Sequence, residues 1–251
     1  FVFSAAVPEG LYRVTIRFGG AEAGRTTVKA EARRLMARDV VTAPGAKQTR
    51  SFLVHVRGPA LPPPPANAPG GSAVALTPQE LASRTWDDRL TLEFLGRPQV
   101  AAIDIEPVEA PVIYLAGDST VTDQPSEPAA SWGQMLPALL TPDIAVANYA
   151  QSGETLKSFI SELRLAKILT TLKAGDWLLI QFGHNDQKAQ WPQTYVDPEA
   201  TYPAYLRVFI AEAKRRGAHP ILVTSPERRN FRDGRIQDTL GTYAEAARRV
   251  A

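Results

Sequence analysis

Clusters of small polar residues follow apolar runs at four places in this chain, and their residue types can perform nucleophilic chemistry. The clusters are "GDST" at 117–120, "NYAQSGET" at 148–155, "GHND" at 183–186 and "SPERRN" at 225–230. A serine hydroxyl attacks an acyl carbon when a base accepts its proton and hydrogen-bond donors face the developing oxyanion. Ser119 is therefore a candidate nucleophile. Asp and Ser beside Gly are also ordinary turn residues, so the first cluster alone permits a plain turn.

The elements that precede these clusters place them at one edge of a sheet. The runs "PVIYLAG", "DIAVANY", "GDWLLIQFG" and "HPILVTS" are short and continuously apolar, which is typical of parallel strands covered on both faces. Helical patterns separate them, with apolar spacings of four at Trp132, Leu136 and Leu140, in 155–173, and in 204–217, where Gly217 is the expected cap. Strands that alternate with helices predict an α/β fold with a parallel sheet from residue 111 onward, and ligands bind at the carboxyl ends of such strands.

The first 110 residues have a different period. Alternation of apolar and polar residues, interrupted by Gly and Pro, predicts short half-buried strands of an antiparallel β-sandwich over 1–110. The Pro-rich stretch 58–71 is expected to be a surface loop inserted within that sandwich. The residues expected on the apolar faces are Tyr12, Val14, Ile16 and Phe18; Val28, Ala30 and Ala32; Phe52, Val54 and Val56; Leu90, Leu92 and Phe94; and Ile103 and Ile105.

Composition limits the classes of function. The 251 residues carry a formal net charge of +2 and no basic run with interleaved aromatic residues, so no nucleic-acid partner is expected. No apolar run reaches the roughly 18 residues of a membrane span, and no membrane partner is expected. The chain has no cysteine, which excludes disulfides and thiolate chemistry.

Neither a cofactor nor a metal is expected. No Gly-rich phosphate loop is present, and the spacing of His55, His184 and His219 is not that of metal ligands. His55 is expected to be exposed on the polar side of its strand, and His219 to lie at a strand start, away from the site edge. Val121 stands where the nucleophile elbow of the α/β-hydrolases would require glycine.

The blocks "AGDSTVTD", "NYAQSGET" and "FGHNDQ", in this order, resemble the first three signature blocks of the SGNH (GDSL-type) hydrolases. Within that superfamily they are most similar to the rhamnogalacturonan acetylesterases, which remove acetyl esters from pectin and include members with a preceding β-domain. The resemblance covers 111–251. It implies a three-layer α/β sandwich after the β-sandwich domain, which would be an accessory unit of a carbohydrate-binding kind.

The resemblance also implies roles for individual residues. Ser119 would be the nucleophile, and the oxyanion hole would consist of the N–H groups of Ser119 and Gly153 with the side-chain amide of Asn185. Asp118 is expected to brace the loop, and His184 to line or brace the site rather than act as the base. Gly153 as a plain turn residue and Asn185 as an Asx-turn residue remain the alternatives.

The sequence departs from the family pattern near its C-terminus. The last block of the superfamily, Asp-x-x-His, supplies the base and the carboxylate that orients it, and this sequence contains no such motif. Because "ARRVA" carries no helix stop signal, the hydrolase domain 111–251 is expected to be C-terminally incomplete.

The resulting hypothesis is a metal-independent serine esterase that removes acetyl groups from pectic polysaccharide, secreted or periplasmic. One alternative is an SGNH lipase or thioesterase, which the polar stretches 122–131 and 185–194 disfavour. The other is a non-catalytic carbohydrate-binding protein, which would account for the absent base.

Overall fold

The structure, a computed structural model, describes residues Phe1 to Ala251. The chain divides into two compact units, neither of which is one continuous segment. The first unit comprises residues 1–60, 76–113 and 123–147, and the second comprises 61–75, 114–122 and 148–251.

Two antiparallel sheets form most of the first unit. One sheet has the order β1-β6-β3-β4 and the other the order β5-β2-β7. A single helical turn, α1 (Pro78–Leu81), precedes β6 and is capped by Thr77 and Glu80. The strands are β1 (Val2–Ala6), β2 (Gly10–Phe18), β3 (Gly24–Ala30), β4 (Arg34–Thr42), β5 (Gln48–Val56), β6 (Arg89–Arg97) and β7 (Val100–Pro107).

The inward faces of both sheets contribute to one apolar core, because alternate residues of a strand point to the same face. In β2 every second residue from Tyr12 to Phe18 is buried while Arg17 is exposed. The prediction of half-buried antiparallel strands in this part of the chain is therefore confirmed. The buried members of the core are Tyr12, Val14, Ile16, Phe18, Val28, Ala30, Met36, Val40, Phe52, Val54, Val56, Leu90, Leu92 and Phe94.

Two expectations for this unit are wrong. His55 is only 5% exposed, because the side chains of β5 are buried on both faces from Phe52 to Val56. Ala32 does not continue the apolar face of β3, since the strand ends at Ala30. The chain turns there through Glu31 and Arg33, whose φ angles of 53° and 64° lie in the left-handed region.

A further sheet, also of four strands, has the order β9-β8-β10-β11. Its strands are β8 (Val112–Gly117), β9 (Ala145–Asn148), β10 (Trp177–Gln181) and β11 (His219–Leu222). β10 and β11 pair in parallel. At the ends of β8 and β9, the Tyr149 N–H donates to the Leu115 carbonyl and the Gln151 N–H donates to the Gly117 carbonyl. Residue numbers rise on both sides of this pair of bonds, as in parallel strands. From β8 the chain passes to β9 on one side, and from β9 it crosses to β10 on the other side of β8. The sheet therefore has a switch point between β8 and β10. The predicted parallel sheet is confirmed.

Two of the predicted helical stretches are interrupted. The stretch expected to run from Trp132 to Leu140 is one turn of α-helix followed by a 3₁₀ helix, where Pro137 has no N–H to continue the α-helix. The stretch 155–173 is two helices, separated at Leu163, whose φ of 65° is left-handed. Gly217 ends the long helix as predicted, with a φ of 74°. The helices and remaining strands are α2 (Trp132–Met135), a 3₁₀ helix (Leu136–Leu139), α3 (Leu156–Ser161), α4 (Arg164–Leu169), α5 (Thr201–Arg215), β12 (Phe231–Arg232), β13 (Arg235–Ile236) and α6 (Tyr243–Val250). None of these helices is both long and apolar enough to cross a membrane.

The boundary between the two compact units is not a single position at residue 110. Residues 123–147 belong with the antiparallel sheets, and a buried ion pair shows why: Arg34 Nε lies 2.7 Å from Asp123 Oδ2, and both side chains are less than 5% exposed. Arg33 donates to the Gln124 carbonyl, and the Gln134 amide donates to the Ala32 carbonyl.

The Pro-rich stretch interrupts the first unit between β5 and β6, so it is an insertion in the chain of that unit, as predicted. Residues 61–75 belong to the second unit. The Ala75 N–H donates to the Glu162 carbonyl at 3.0 Å, and the Ala75 carbonyl accepts from Arg164 at 3.3 Å.

The Arg34–Asp123 pair generates a stability prediction. Asp123→Asn leaves a buried guanidinium without its closest carboxylate, and we expect the free energy of unfolding to fall by roughly 3 kcal/mol. Urea denaturation followed by circular dichroism measures this change. The control Asp104→Asn breaks the exposed pair with Arg17, which has 62% and 57% side-chain exposure, and should change stability by less than about 0.5 kcal/mol. Equal effects of the two substitutions would contradict a structural role for the buried pair.

Candidate active site

The candidate site lies at the carboxyl ends of β8 and β10, on either side of the switch point. Ser119 follows β8, and His184, Asn185 and Asp186 follow β10. The order of the strands therefore brings together residues that are more than 60 positions apart in the sequence.

The loop that carries Ser119 is held by the carboxyl group of Asp118, which is fully buried. Asp118 Oδ1 accepts from the N–H and the hydroxyl of Thr120, at 2.9 and 2.8 Å. The Asp118 carbonyl accepts from the N–H groups of Val121 and Thr122, both at 3.0 Å. These bonds form a tight turn in which Ser119 is half-buried and Asp118 is buried.

The loop after β9 is tied to the Ser119 loop by two side chains. Asn148 Nδ2 donates to the Val121 carbonyl at 2.7 Å, and the Thr122 hydroxyl donates to the Ala150 carbonyl at 2.8 Å. The chain then turns through Gly153, and the Glu154 N–H donates to the Gln151 carbonyl at 3.3 Å.

Gly153 is required by its conformation rather than by crowding. Its φ of 94° is one that side chains rarely adopt, whereas a Cβ there would meet no atom within 4 Å. The residue is exposed, so an N–H in this turn can be reached by a ligand.

The Asn185 side chain is fixed in one orientation. Its Nδ2 donates to the Glu154 carbonyl at 3.0 Å, and its Oδ1 accepts from Lys188 Nζ at 2.7 Å. An amide nitrogen has two hydrogens, so one remains for a further acceptor. The Lys188 ammonium can only donate, and it therefore excludes the flipped amide.

His184 uses both ring nitrogens in contacts with other groups. Nε2 lies 2.9 Å from the Pro226 carbonyl, which can only accept, so Nε2 carries the proton there. Nδ1 lies 3.6 Å from Asp118 Oδ2, a carboxylate oxygen that has no hydrogen-bond partner. The bond to Pro226 orients the ring, which lies next to the Asp118 carboxylate.

Asp186 joins two loops of the site. Its Oδ2 accepts from the Gly183 N–H and its Oδ1 from the Leu156 N–H at the start of α3, both at 2.9 Å. Burial raises the pKa of the Asp186 carboxyl to about 7, although both hydrogen bonds oppose the rise.

A third buried carboxyl group, that of Glu154, belongs to the residue after Gly153. Glu154 Oε1 is 3.3 Å from Arg164 Nε, and Oε2 accepts from the Ser158 hydroxyl at 2.7 Å. Burial raises the pKa of Glu154 to about 8, against the opposing charge of Arg164. Arg164 also pairs with Glu162 at 3.0 Å, so one buried guanidinium holds the chain on both sides of α3.

Two hollows open at these loops. One of about 300 Å³ is lined by residues that include Ser119, His184, Asn185, Lys188 and Arg228. The other, of about 360 Å³, is lined by Gly153 and by residues 191–194.

The structure thus places Ser119, His184 and Asn185 at one hollow, and Asp118, which precedes Ser119, is fully buried. Gly153 lines the neighbouring hollow instead, and it is linked to Asn185 through the carbonyl of Glu154.

Sequence reasoning did not single out Glu154, Asp186 or Lys188 as supports of the site. A weak signal existed for two of them, since Asp186 directly follows Asn185 and Lys188 is three positions beyond it. Nothing in the sequence distinguishes Glu154 from a surface carboxylate.

Comparison with known proteins gives a family and several relatives. Residues 115–251 match the model of the GDSL-like lipase/acylhydrolase family. The chain is 44% identical over 142 residues to the rhamnogalacturonan acetylesterase RhgT of Bacillus subtilis, covering 55% of this chain and 60% of RhgT. It is 41% identical over 140 residues to the probable rhamnogalacturonan acetylesterase YesY of the same organism, covering 55% and 64%.

One solved structure resembles nearly the whole chain. The crystal structure of YxiM from Bacillus subtilis superposes with a TM-score of 0.52 at 26% identity, covering 99% of this chain and 64% of that one. The chain spans between 60% and 64% of the length of RhgT, YesY and YxiM.

The raised pKa of Asp186 predicts a pH dependence of stability. The folded protein binds this proton up to about pH 7, whereas the unfolded chain releases it near pH 3.8, so the folded state holds more protons between these values. The free energy of unfolding should therefore fall as pH rises from about 4 to 7. In Asp186→Asn, which cannot titrate, urea denaturation across this range should show a flatter fall.

Asp197 provides the matched control, because backbone N–H groups of Ala200 and Glu199 lower the pKa of its carboxyl. That carboxyl stabilises the fold above its unfolded pKa and loses this contribution as pH falls, so Asp197→Asn should not flatten the slope between pH 4 and 7. An unchanged slope in Asp186→Asn would show that Asp186 is ionised throughout the range.

Proposed function

Because the chain belongs to the GDSL-like lipase/acylhydrolase family, we propose that it is a serine esterase that removes acetyl groups from a pectic polysaccharide. The observation that carries the proposal is the meeting of Ser119 and Asn185 at one hollow beside the switch point. The names of RhgT and YesY support rhamnogalacturonan as the polysaccharide and acetate as the group removed.

In the proposed reaction, Ser119 Oγ bonds to the acetyl carbon while a base takes the hydroxyl proton. The carbonyl oxygen becomes an oxyanion, which accepts hydrogen bonds from the N–H groups of Ser119 and Gly153 and from Asn185 Nδ2. The bond to the sugar oxygen then breaks, and that oxygen receives the proton. A water molecule then attacks the carbonyl carbon of the acetyl-serine in the same way, the bond to Ser119 Oγ breaks, and acetate is released.

The surrounding contacts support the role of Asn185. Lys188 fixes which end of the amide is the donor, and the positive charge at Oδ1 polarises the amide toward a stronger Nδ2–H donor. The bond to the Glu154 carbonyl keeps Asn185 close to the Gly153 turn. A donor held in place before reaction costs no reorganisation when the oxyanion forms.

The general base is not assigned to any histidine of this chain. His184 is bound to Pro226 and faces Asp118, and His219 lies at the start of β11, the edge opposite the candidate site. His55 is buried in β5, within the first unit. We propose that the base is the histidine of an Asp-x-x-His block, as the family resemblance implies.

The polar character of the hollow favours a sugar ester over a lipid or thioester substrate. Its lining includes the side chains of Lys188, Glu227 and Arg228, none of which stabilises a long acyl chain. Pectic polysaccharide lies outside the cytoplasm, so the proposal includes secretion or a periplasmic location.

The first unit is proposed to contact polysaccharide or to stabilise the protein rather than to perform chemistry. It has its own apolar core, and the residues assigned to the reaction all belong to the second unit. The likeness to YxiM extends over this unit as well.

Ser119→Ala tests the proposed reaction. Acetate release from acetylated rhamnogalacturonan should fall by roughly 10³-fold or more, because the nucleophile is lost. Ser161→Ala is the matched control, since that serine lies on the exposed side of α3 and should leave the rate unchanged. Release at the wild-type rate from Ser119→Ala would leave Ser119 as a turn residue.

A further inference from the structure

Trp191 lies beside the candidate site with 53% of its surface exposed, and it is the largest side chain of the hollow that contains Gly153. We propose that Trp191 is a stacking platform for a sugar ring of the substrate chain, next to the residue that carries the acetyl ester. The proposal deepens the function proposed above and rests on it.

The exposed indole is a costly feature for a surface that binds nothing. A tryptophan side chain presents a large apolar area, and leaving half of it in water forgoes much of the free energy that burial would give. Its ring nitrogen has no hydrogen-bond partner within the chain. A ring with an apolar face and a free donor at its edge matches a sugar, which has an apolar C–H face and hydroxyl groups at its rim.

Hydrogen bonds fix the backbone that carries Trp191, and one contact orients its ring. The backbone N–H of Trp191 donates to the Lys188 carbonyl at 3.0 Å, and the backbone carbonyl of Trp191 accepts from the Tyr195 N–H at 2.8 Å. Lys157 Nζ on α3 donates to the Pro192 carbonyl at 2.9 Å. The Lys188 ammonium lies 4.9 Å from the centre of the indole ring, which favours this orientation through the negative charge of the π face. A fixed aromatic ring loses little conformational entropy when it binds a ligand.

The platform is continuous with the proposed catalytic groups. Gly153, whose N–H is proposed to bind the oxyanion, lines the same hollow as Trp191. Lys188 connects the two in a second way, because its ammonium contacts both the indole ring and Asn185 Oδ1. A ligand bound to Trp191 therefore lies next to the groups assigned to the reaction.

The hollow combines the apolar indole ring with polar groups, which matches the mixed surface of a sugar. Its volume of about 360 Å³ accommodates one or two sugar rings, and Gln193 and Thr194 place an amide and a hydroxyl beside the indole. The Gln193 side chain has no hydrogen-bond partner within the chain and can pair with ligand hydroxyls. A site for an apolar chain would leave these polar groups unpaired on binding, which is unfavourable.

Direct binding measurements test the proposal without relying on turnover. Residues 1–251 carrying Ser119→Ala are titrated with an acetylated rhamnogalacturonan oligosaccharide by isothermal titration calorimetry, with and without a second substitution. Trp191→Ala should raise Kd about tenfold, which corresponds to about 1.4 kcal/mol. Trp191→Phe, which keeps a ring, should recover most of the affinity. Val208→Ala removes an exposed apolar side chain from α5 and should leave Kd unchanged.

The outcomes separate this proposal from the function on which it rests. Binding by the Ser119→Ala protein with the same Kd in Trp191→Ala would overturn the stacking role alone. No binding by any variant, together with no acetate release by the protein with Ser119 intact, would overturn both. Circular dichroism of each variant confirms that the proteins compared are folded.

Discussion

The carboxyl group of Asp186 accepts hydrogen bonds from two backbone N–H groups in different loops. The geometry of the candidate active site depends on this arrangement. One bond closes the turn after β10, and the other ties that turn to the first residue of α3. Asn185 is thereby placed where its amide reaches the Glu154 carbonyl. A carboxyl group has two acceptor oxygens and fits two donors, which an amide at this position would not. The cost is the burial of an ionisable group, expressed in its raised pKa.

The parallel strands and the polar blocks at their ends could be predicted from the sequence, because both depend on local patterns. Continuous apolar runs specify strands covered on both faces, and the carboxyl ends of parallel strands meet at one edge. The proximity of Ser119, His184 and Asn185 follows from this rule together with the family resemblance. The antiparallel strands of the first unit followed in the same way from a period of two, as the buried alternation in β2 shows.

The remaining features depend on contacts between residues distant in sequence, which no local pattern records. The break at Leu163 and the membership of residues 61–75 in the second unit accompany the buried Arg164, which reaches Glu154, Glu162 and Ala75 at once. His55 is buried because β5 is covered on both faces, although its alternation indicates one polar face. Residues 123–147 join the first unit through a buried ion pair whose partners are 89 positions apart. Lys188 and Trp191 become informative only when their positions relative to Asn185 and Gly153 are known.

The central claim is that Ser119 is a nucleophile whose oxyanion is bound by three donors held in place before the reaction. The most direct measurement is a crystal structure of the protein after reaction with a phosphonate ester that traps nucleophilic serines. The claim predicts a covalent bond from phosphorus to Ser119 Oγ, with the phosphoryl oxygen about 2.7–3.1 Å from Ser119 N, Gly153 N and Asn185 Nδ2. A phosphonate attached to another residue, or a phosphoryl oxygen directed away from Gly153 and Asn185, would contradict it.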